Sequence, residues 1–295
     1  MKSSNIGGQA VMEGVMMRNA DKYAVAVRKT DGEIVVKTEE YKGIVQNKKI
    51  RSLPIIRGVF SFIDSMVLGM STLTYSASFF MDEEEEEKDE KKESVMMGLT
   101  IACSVVMAVA IFMILPYFLS QLFRKFTDST TLITLLEGAV RLVIFFGYIL
   151  LISRMKDIQR VFMYHGAEHK CINCIEHGME LNVENVLKSS RLHKRCGTSF
   201  LFIVMIVSII FFLFIRIESP IWRVVFRLLL IPVIAGVSFE FIRLAGKSEN
   251  KLVILLSKPG MMLQKLTTRE PDASMAEVAI ASVEAVFDWR AYMKE

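Results

Sequence analysis

Residues 95–123 read VMMGLTIACSVVMAVAIFMILPYFLSQLF, 29 consecutive positions without a charged side chain. A helix needs about 20 predominantly apolar residues to cross the hydrocarbon core of a bilayer, so this stretch is long enough to span a membrane. Three further apolar stretches follow at residues 132–152, 198–215 and 221–244. The sequence therefore predicts a membrane protein that is mainly α-helical and has about four transmembrane helices.

The composition of the 295-residue chain supports this class. Apolar residues make up 52% of the chain and charged residues only 23%, which excludes a disordered chain and a disulfide-rich mini-protein. The net charge is +4, but residues 82–93 hold nine acidic residues and three lysines, so the rest of the chain carries +10. This pattern predicts the lipid bilayer, rather than a nucleic acid, as the partner.

The distribution of Lys and Arg predicts the orientation. The first 60 residues contain eleven of them and the connection 153–197 contains eight, whereas the links after the first and third spans carry about two each. Basic loops stay on the cytoplasmic side. We therefore expect a multi-pass protein of the cytoplasmic membrane with both termini and the connection 153–197 in the cytoplasm, which four spans allow.

The segments outside these spans differ in character. Residues 53–81 mix apolar residues with Arg57 and Asp64, which predicts an amphipathic or re-entrant helix lying against the membrane. Residues 82–94 predict a solvated acidic linker, because a run of like charges repels itself.

The two ends of the chain are predicted to be cytoplasmic. In the N-terminal region 1–52, two alternating apolar and polar runs flank Asp31-Gly32, a pattern typical of a β-hairpin. The C-terminal region 245–295 shows helical periodicity. The expected cytoplasmic part is thus a small α+β region that contains a hairpin.

The connection 153–197 holds the residues that could carry chemistry. On a helix, His165, Glu168 and His169 lie at positions i, i+3 and i+4 and share one face. Two imidazoles on one face can bind zinc, with the carboxylate as a ligand or a base, and H-x-x-E-H is also the motif of one class of zinc proteases. Glu168 is therefore the candidate catalytic base.

A second cluster lies directly before the third span, where His193 and Cys196 are three residues apart. If the connection folds the two clusters together, the sequence predicts a metal site whose candidate ligands are His165, His169, His193 and Cys196, with Cys174 as the main substitute. Zinc or another divalent transition metal fits this set, because a thiolate disfavours Mg²⁺ and Ca²⁺. Four ligands would close a structural site, whereas three and a water would make a catalytic one.

Several long motifs resemble the YqhQ family of bacterial membrane proteins, and they occur in the family's order over nearly the whole chain. They are GGQAVMEGVMMR at 7–18, YHGAEHK at 164–170, NVENV at 182–186, RLHKRCGTSFLFIVMI at 191–206 and PGMMLQKLTTREPD at 259–272. The resemblance implies a bacterial cytoplasmic-membrane protein of a family whose function is unknown and whose members are often described as metal-dependent enzymes.

The family motifs carry over position by position. The H-G-A-E-H-K motif falls on residues 165–170 and the H-P-R-C-G-T-S-F motif on residues 193–200, with Lys194 where the family usually has Pro. The terminal motifs add polar residues that we expect to meet near the connection 153–197. These are Gln9, Glu13, Arg18, Arg269 and Glu270.

Three functions compete. The first is a metal-dependent, hydrolase-like enzyme at the cytoplasmic membrane face, in which Arg195 stabilises an anionic part of a membrane-tethered or lipid-linked substrate. The second is a scaffold, assembly factor or regulator with a structural zinc site. The third is a small transporter or channel that oligomerises and uses Glu137, Arg141 and Glu240 within the membrane. Glu137 and Arg141 lie four residues apart, so they share a helix face and can pair.

Overall fold

The computed structural model describes residues 3–80, 90–215, 217, 219–248 and 250–294. Most of these residues are helical, as predicted. The helices are α1 Lys48–Ser52, α2 Ile56–Ala77, α3 Glu90–Val109, α4 Leu115–Gln121, α5 Thr130–Ile152, α6 Lys156–Glu176, α7 Val183–Lys188, α8 Gly197–Phe214, α9 Pro220–Lys247, α10 Lys251–Thr267, α11 Ala273–Val286 and α12 Trp289–Lys294. A π-helical turn at Ala110–Ile114 joins α3 to α4.

The N-terminal region forms a four-stranded antiparallel sheet. Its strands lie in chain order and are β1 Gly7–Val11, β2 Gly14–Asn19, β3 Lys22–Arg28 and β4 Ile34–Glu40. The predicted hairpin is confirmed as β3–β4, closed by the pair Arg28 and Ile34 with Gly32 at φ +90° in the turn. The hairpin β1–β2 was not predicted, because its turn at Met12 and Glu13 lacks the Asn-Gly or Asp-Gly pair that marks such turns.

Strand β3 shows why both faces of the sheet are covered. Its side chains alternate between the faces, and residues 23–27 are all buried. Ala24 and Ala26 pack in one core with α6 and α11, whereas Val25 and Val27 pack in a second core with Leu68 of α2. The sheet therefore lies between α2 on one face and α6 and α11 on the other.

Helix α2 accounts for the difference between the predicted and the observed number of candidate membrane spans. Together with the short 3₁₀ turn that follows it, it gives a 25-residue apolar helix, Ile56–Phe80, that is long enough to cross a membrane. By length and composition there are five such helices among the described residues, so the expected number of four is wrong on this criterion. The others are Val95–Lys125, Thr130–Ile152, Gly197–Phe214 and Ile221–Gly246.

The two charges of α2 made the sequence look polar, yet both are paired. Asp64 is only 2% exposed and accepts hydrogen bonds from the Tyr41 hydroxyl at 3.1 Å and the Ile44 N–H at 2.8 Å. Arg57 forms a two-bonded ion pair with Glu240 of α9. The sequence alone did not give these partners, because they are distant in the chain.

Most of the predicted linker 82–94 lies outside the described residues. Its last five positions, 90–94, are the first turn of α3 rather than a linker.

The chain divides into two compact units. The first comprises Met1–Phe80, Ile152–Val204 and Ala235–Glu295, and the second comprises Met81–Leu151 and Met205–Ile234. The first unit contains the sheet and the residues of both motif clusters.

The second unit contains a buried ion cluster. Glu137 accepts from Arg141, as the four-residue spacing predicted, at 2.9 Å, and both of its oxygens also accept from Arg227. Arg141 donates in addition to the Ser208 hydroxyl at 2.9 Å. The guanidinium of Arg227 lies 4.6 Å from the ring centre of Phe212. Paired charges therefore join α5 to α9, and the Ser208 hydroxyl and the Phe212 ring join α8 to the same cluster.

Candidate functional site

Helix α6 presents the first motif. It is buried almost continuously from Tyr164 to Glu176, where only His165 is half-buried. Gly166 allows this helix to approach the segment after α10, because a Cβ at this position would lie 2.0 Å from the carbonyl oxygen of Arg269. Position 166, between His165 and Glu168 of the motif, therefore requires a glycine.

Side chains of α6 also hold the segment that precedes α8. Lys170 donates to the carbonyl oxygens of Leu187 and Ser189, both at 2.8 Å. Asn173 donates to the carbonyl oxygens of Ser190 at 2.6 Å and Leu192 at 3.0 Å. Helix α6 thus holds the loop that leads to the second motif.

Three of the five predicted ligands come together. One nitrogen each of His165 and His169 and the sulfur of Cys196 all lie within 4.8 Å of one another. The Nε2 atom of His165 is 3.3 Å from the Cys196 Sγ atom, and the two imidazole ring centres are 4.4 Å apart.

The second nitrogen of each imidazole is held by a backbone carbonyl. Nδ1 of His165 bonds the oxygen of Thr267 at 2.8 Å, and Nδ1 of His169 bonds the oxygen of Arg191 at 2.6 Å. A histidine that ligates a metal usually donates its other N–H in this way, which fixes the tautomer and turns the remaining nitrogen toward the metal. Two imidazole nitrogens and one thiolate are a donor set that zinc accepts.

The charges within this cluster depend on one another. Burial alone would raise the pKa of the Cys196 thiol, but the adjacent rings of His165 and His169 outweigh burial and hold that pKa well below its usual range. Burial would likewise lower the pKa of His165, yet the sulfur of Cys196 raises it to about 9. The N–H of Thr198 at the start of α8 also points at the Cys196 sulfur, at 3.4 Å. These contacts favour the thiolate form of Cys196.

Glu168 lies beside the cluster but is not one of the grouped ligands. It is 5% exposed, and burial raises the pKa of its carboxyl, against the charges of His169 and His165. Its methylene chain packs over Gly8 of β1, where an added Cβ would lie 2.9 Å from its Cγ atom. A buried carboxyl next to two imidazoles can accept or donate a proton near neutral pH.

His193 and Arg195 have partners of their own. His193 Nε2 lies 3.4 Å from the Glu176 carboxylate, and Arg195 donates to the same carboxylate at 2.5 Å. Ser4 adds its N–H at 2.8 Å and its hydroxyl at 2.9 Å. Burial would raise the pKa of Glu176, but the bonds from His193, Ser4 and Arg195 outweigh it and lower that pKa to about 2.

Cys174 is placed away from the cluster. It is buried in the core that α6 shares with α11, and its sulfur faces the carbonyl oxygen of Glu180 at 3.4 Å. The structure does not bring Cys174 together with His165, His169 and Cys196. His193 is nearer, with its ring centre 5.8 Å from that of His169, but it too lies outside the grouped ligand atoms.

The polar residues of the terminal motifs meet the connection 153–197 only in part. Glu13 binds Arg160 of α6 at 2.5 Å and Glu270 binds Lys170 at 2.8 Å. Gln9 instead packs against Gly69 of α2, and Arg18 stacks on Tyr41.

Sequence reasoning missed several residues that position the site. Gln264 of α10 is fully buried and pairs with the backbone of His193 through bonds of 2.8 and 2.7 Å. Glu176 and Asn173 were also missed. Both are polar residues of α6 close to the first motif, so a positioning role could have been suspected. Their partners could not be identified, because these lie in other segments of the chain.

Comparison with known proteins agrees with the sequence motifs. The family described as "Protein of unknown function (DUF1385)" matches residues 53–289. The chain is 37% identical over 287 residues to "Uncharacterized protein YqhQ" of Bacillus subtilis (strain 168), which covers 94% of this chain and 90% of that relative. No solved structure matches the chain. With more than half of its length matched, the chain belongs to the DUF1385 family of proteins of unknown function, and YqhQ is its relative.

Proposed function

We propose that this protein is a metal-dependent membrane protein that catalyses a hydrolase-like reaction, with zinc held by His165, His169 and Cys196. The observation that carries the proposal is the orientation of the two imidazoles. Both Nδ1 atoms are occupied by backbone carbonyls, so the Nε2 atoms are left to face the Cys196 sulfur. Such a metal supplies a Lewis acid and a source of nucleophile at neutral pH.

Three protein ligands support a catalytic rather than a structural site. Among the described residues, no fourth His, Cys, Asp or Glu belongs to the group, and catalytic zinc sites typically have three protein ligands and an open position. His193, the obvious fourth candidate, has its Nε2 atom 3.4 Å from the Glu176 carboxylate, and Gln264 holds its backbone N–H.

Glu168 is the proposed general base. Burial raises the pKa of its carboxyl, and a general base works best when its pKa lies near the working pH. Arg195 is bound to Glu176 and its stem packs on Gly246 of α9. We therefore assign Arg195 to positioning the segment that precedes Cys196, in place of the direct substrate contact expected from the sequence.

The proposed location is the cytoplasmic face of the bacterial inner membrane, on a lipid-linked or membrane-tethered substrate. Helix α2 supports it. One face, including Leu68, Thr72 and Ser76, is buried, and Leu68 packs in the core of the sheet, while Met66 and Val67 on the other face are about half exposed. Sheets with open edges do not occur in the hydrocarbon region, so α2 is best placed at the interface, with its apolar face toward lipid.

Metal content tests the proposal. The full chain is purified in detergent without added chelator, and its zinc is counted by mass spectrometry for wild type, His165→Ala, His169→Ala and Cys196→Ala. About one zinc per chain in wild type and a loss in each variant are expected. His177→Ala is the matched control, because His177 ends the same helix but is exposed. Wild-type protein that folds and binds no divalent transition metal would refute the proposal.

Two further variants separate an enzyme from a scaffold with structural zinc. His193→Gln should keep the metal if the site has three protein ligands, and should lose it if the site is closed by a fourth. Glu168→Gln should keep the metal and abolish function in a cellular complementation assay. Full function in Glu168→Gln, with none in His165→Ala, would support the scaffold.

A further inference from the structure

A cavity of about 510 Å³ lies beside the two chain segments whose carbonyl groups bond to the imidazoles of His165 and His169. Its wall includes Arg191, Thr268 and Arg269. The oxygen of Arg191 binds His169, and the oxygen of Thr267, the residue before Thr268, binds His165. The same two segments of chain therefore support the candidate metal ligands and line the cavity.

The cavity is strongly basic. Arg191, Lys265 and Arg269 line it, and Glu270 is the acidic residue among its lining groups. Glu270 lies 3.4 Å from Arg191, but its other oxygen is bound at 2.8 Å by Lys170, which is itself buried. Lys170 thus balances the charge of Glu270, and the three lining cations remain in excess.

Two of these cations have no acidic partner. Among the residues that the structure describes, neither Lys265 nor Arg269 forms an ion pair. Arg269 is held in place by a bond from its Nη2 atom to the carbonyl oxygen of Ser153 at 3.0 Å. Arg191 is held by a bond from its Nη1 atom to the carbonyl oxygen of Thr268. The two guanidinium groups are therefore fixed in position, and among the described residues Arg269 has no acidic partner while Arg191 shares Glu270 with Lys170.

We propose that this cavity binds a phosphate monoester. Two guanidinium groups and one ammonium suit the charge and the several oxygen atoms of a phosphate, which arginine can bind with two parallel bonds. The volume is that of a small-ligand site, which ranges from about 300 to 1,000 Å³.

The phosphate group can come from a lipid or from a soluble molecule. Ser153 lines the cavity and directly follows Ile152, the last residue of the candidate span α5. That position suits a lipid headgroup. The same chemistry would accept a phosphorylated small molecule from the cytoplasm, and the inference does not depend on a bound metal.

The test is a ligand-dependent shift in the thermal unfolding midpoint of the full chain in neutral detergent, with EDTA present throughout. The probes are glycerol 3-phosphate, dioctanoyl phosphatidic acid and dioctanoylglycerol, which lacks the phosphate. Stabilisation by both phosphates supports a site open to soluble molecules, and stabilisation by phosphatidic acid alone supports a lipid headgroup site. No shift with either phosphate, or an equal shift with dioctanoylglycerol, would overturn the proposal.

Variants locate the effect. Lys265→Gln and Arg269→Gln should each raise the concentration needed for half the shift about tenfold, the usual effect of losing one charged hydrogen-bond donor. Arg269→Lys, which keeps the charge, should recover part of the loss. Lys258→Gln is the matched control, since Lys258 is exposed on the same helix but does not line the cavity. Equal losses for Lys258→Gln and Lys265→Gln would contradict a specific site.

Discussion

The two units each bury a polar cluster, and the clusters differ in where their bonds go. In the second unit, Glu137, Arg141 and Arg227 bond to one another, and both oxygens of the Glu137 carboxylate accept from guanidinium groups. In the first unit, His165 and His169 direct one nitrogen outward to backbone carbonyls and the other toward a thiolate.

This difference separates a stabilising cluster from a binding cluster. Side chains whose charged groups bond to one another hold helices together, and those groups have little capacity left for a ligand. Side chains whose second polar atom is held by the backbone, and whose ligand atoms converge on one point, can bind a ligand without rearranging. The following predictions test this contrast, from the largest expected effect to the smallest.

Removing the carboxylate of the second unit should have the largest effect on stability. Glu137→Gln leaves two buried arginines without a counter-charge, which costs about 3–5 kcal/mol. The free energy of unfolding in detergent measures the loss. Glu184→Gln is the control, because Glu184 forms the same four-residue pair with Lys188 on an exposed surface, where no measurable change is expected. Equal effects of both variants would remove the structural role of the Glu137 cluster.

Gly166→Ala tests the close approach behind the metal ligands. The added Cβ would meet the carbonyl oxygen of Arg269 at 2.0 Å, and overpacking of this kind costs about 1–3 kcal/mol. The displaced segment also carries Thr267, so zinc affinity should fall with stability. Gly147→Ala in α5, where a Cβ meets nothing within 4 Å, should keep both. A fully stable Gly166→Ala variant with normal zinc affinity would contradict the observed packing.

Asn173 tests whether the support of the imidazoles matters. Its amide holds the loop whose Arg191 oxygen binds His169. Asn173→Ala should weaken zinc binding about 10- to 100-fold, as loss of an outer-shell partner typically does. A competitive chelator titration measures this. Asn185→Ala removes a comparable amide bond, to the Glu180 carbonyl, and should leave zinc affinity unchanged, so equal losses in both variants would contradict the role of Asn173.

The smallest expected effect is a dependence on pH. The folded state lowers the pKa of Glu176 from 4.5 to about 2, so its contribution to stability is full above pH 4.5 and is lost as pH falls toward 2. Lowering the pH from 6 to 4 should remove on the order of 1 kcal/mol from the wild type. Glu176→Gln should lack this part of the pH dependence. Identical pH profiles of unfolding for the wild type and Glu176→Gln would exclude this contribution of Glu176.

The local patterns in the sequence predicted much of this arrangement. His165, Glu168 and His169 were expected on one helical face, and α6 places them there. The β3–β4 hairpin followed from Asp31-Gly32, and the pairing of Glu137 with Arg141 followed from their spacing. These features depend on residues close in sequence, so periodicity and turn chemistry are sufficient to find them.

What the sequence could not give were partners from distant segments. Asp64 made residues 53–81 look amphipathic in the sequence, but the Tyr41 hydroxyl and the Ile44 N–H bond to it in the structure. Cys174 was the main substitute among the candidate ligands, and the packing of α6 against α11 directs it into the core. The roles of Thr267 and Arg191 depend on their backbone oxygens, which no side-chain pattern reveals.

The most direct test of the central claim replaces zinc with cobalt in purified full-length protein. If His165, His169 and Cys196 form a site, each chain should bind one Co²⁺ tightly. The spectrum should show an intense thiolate-to-cobalt charge-transfer band in the near ultraviolet. It should also show the visible absorption bands of a Co²⁺ ion with few ligands. Cys196→Ser should lose the near-ultraviolet band, and His193→Gln should keep it. A spectrum without a thiolate band, or one unchanged in Cys196→Ser, would contradict the claim that these three residues form a metal site.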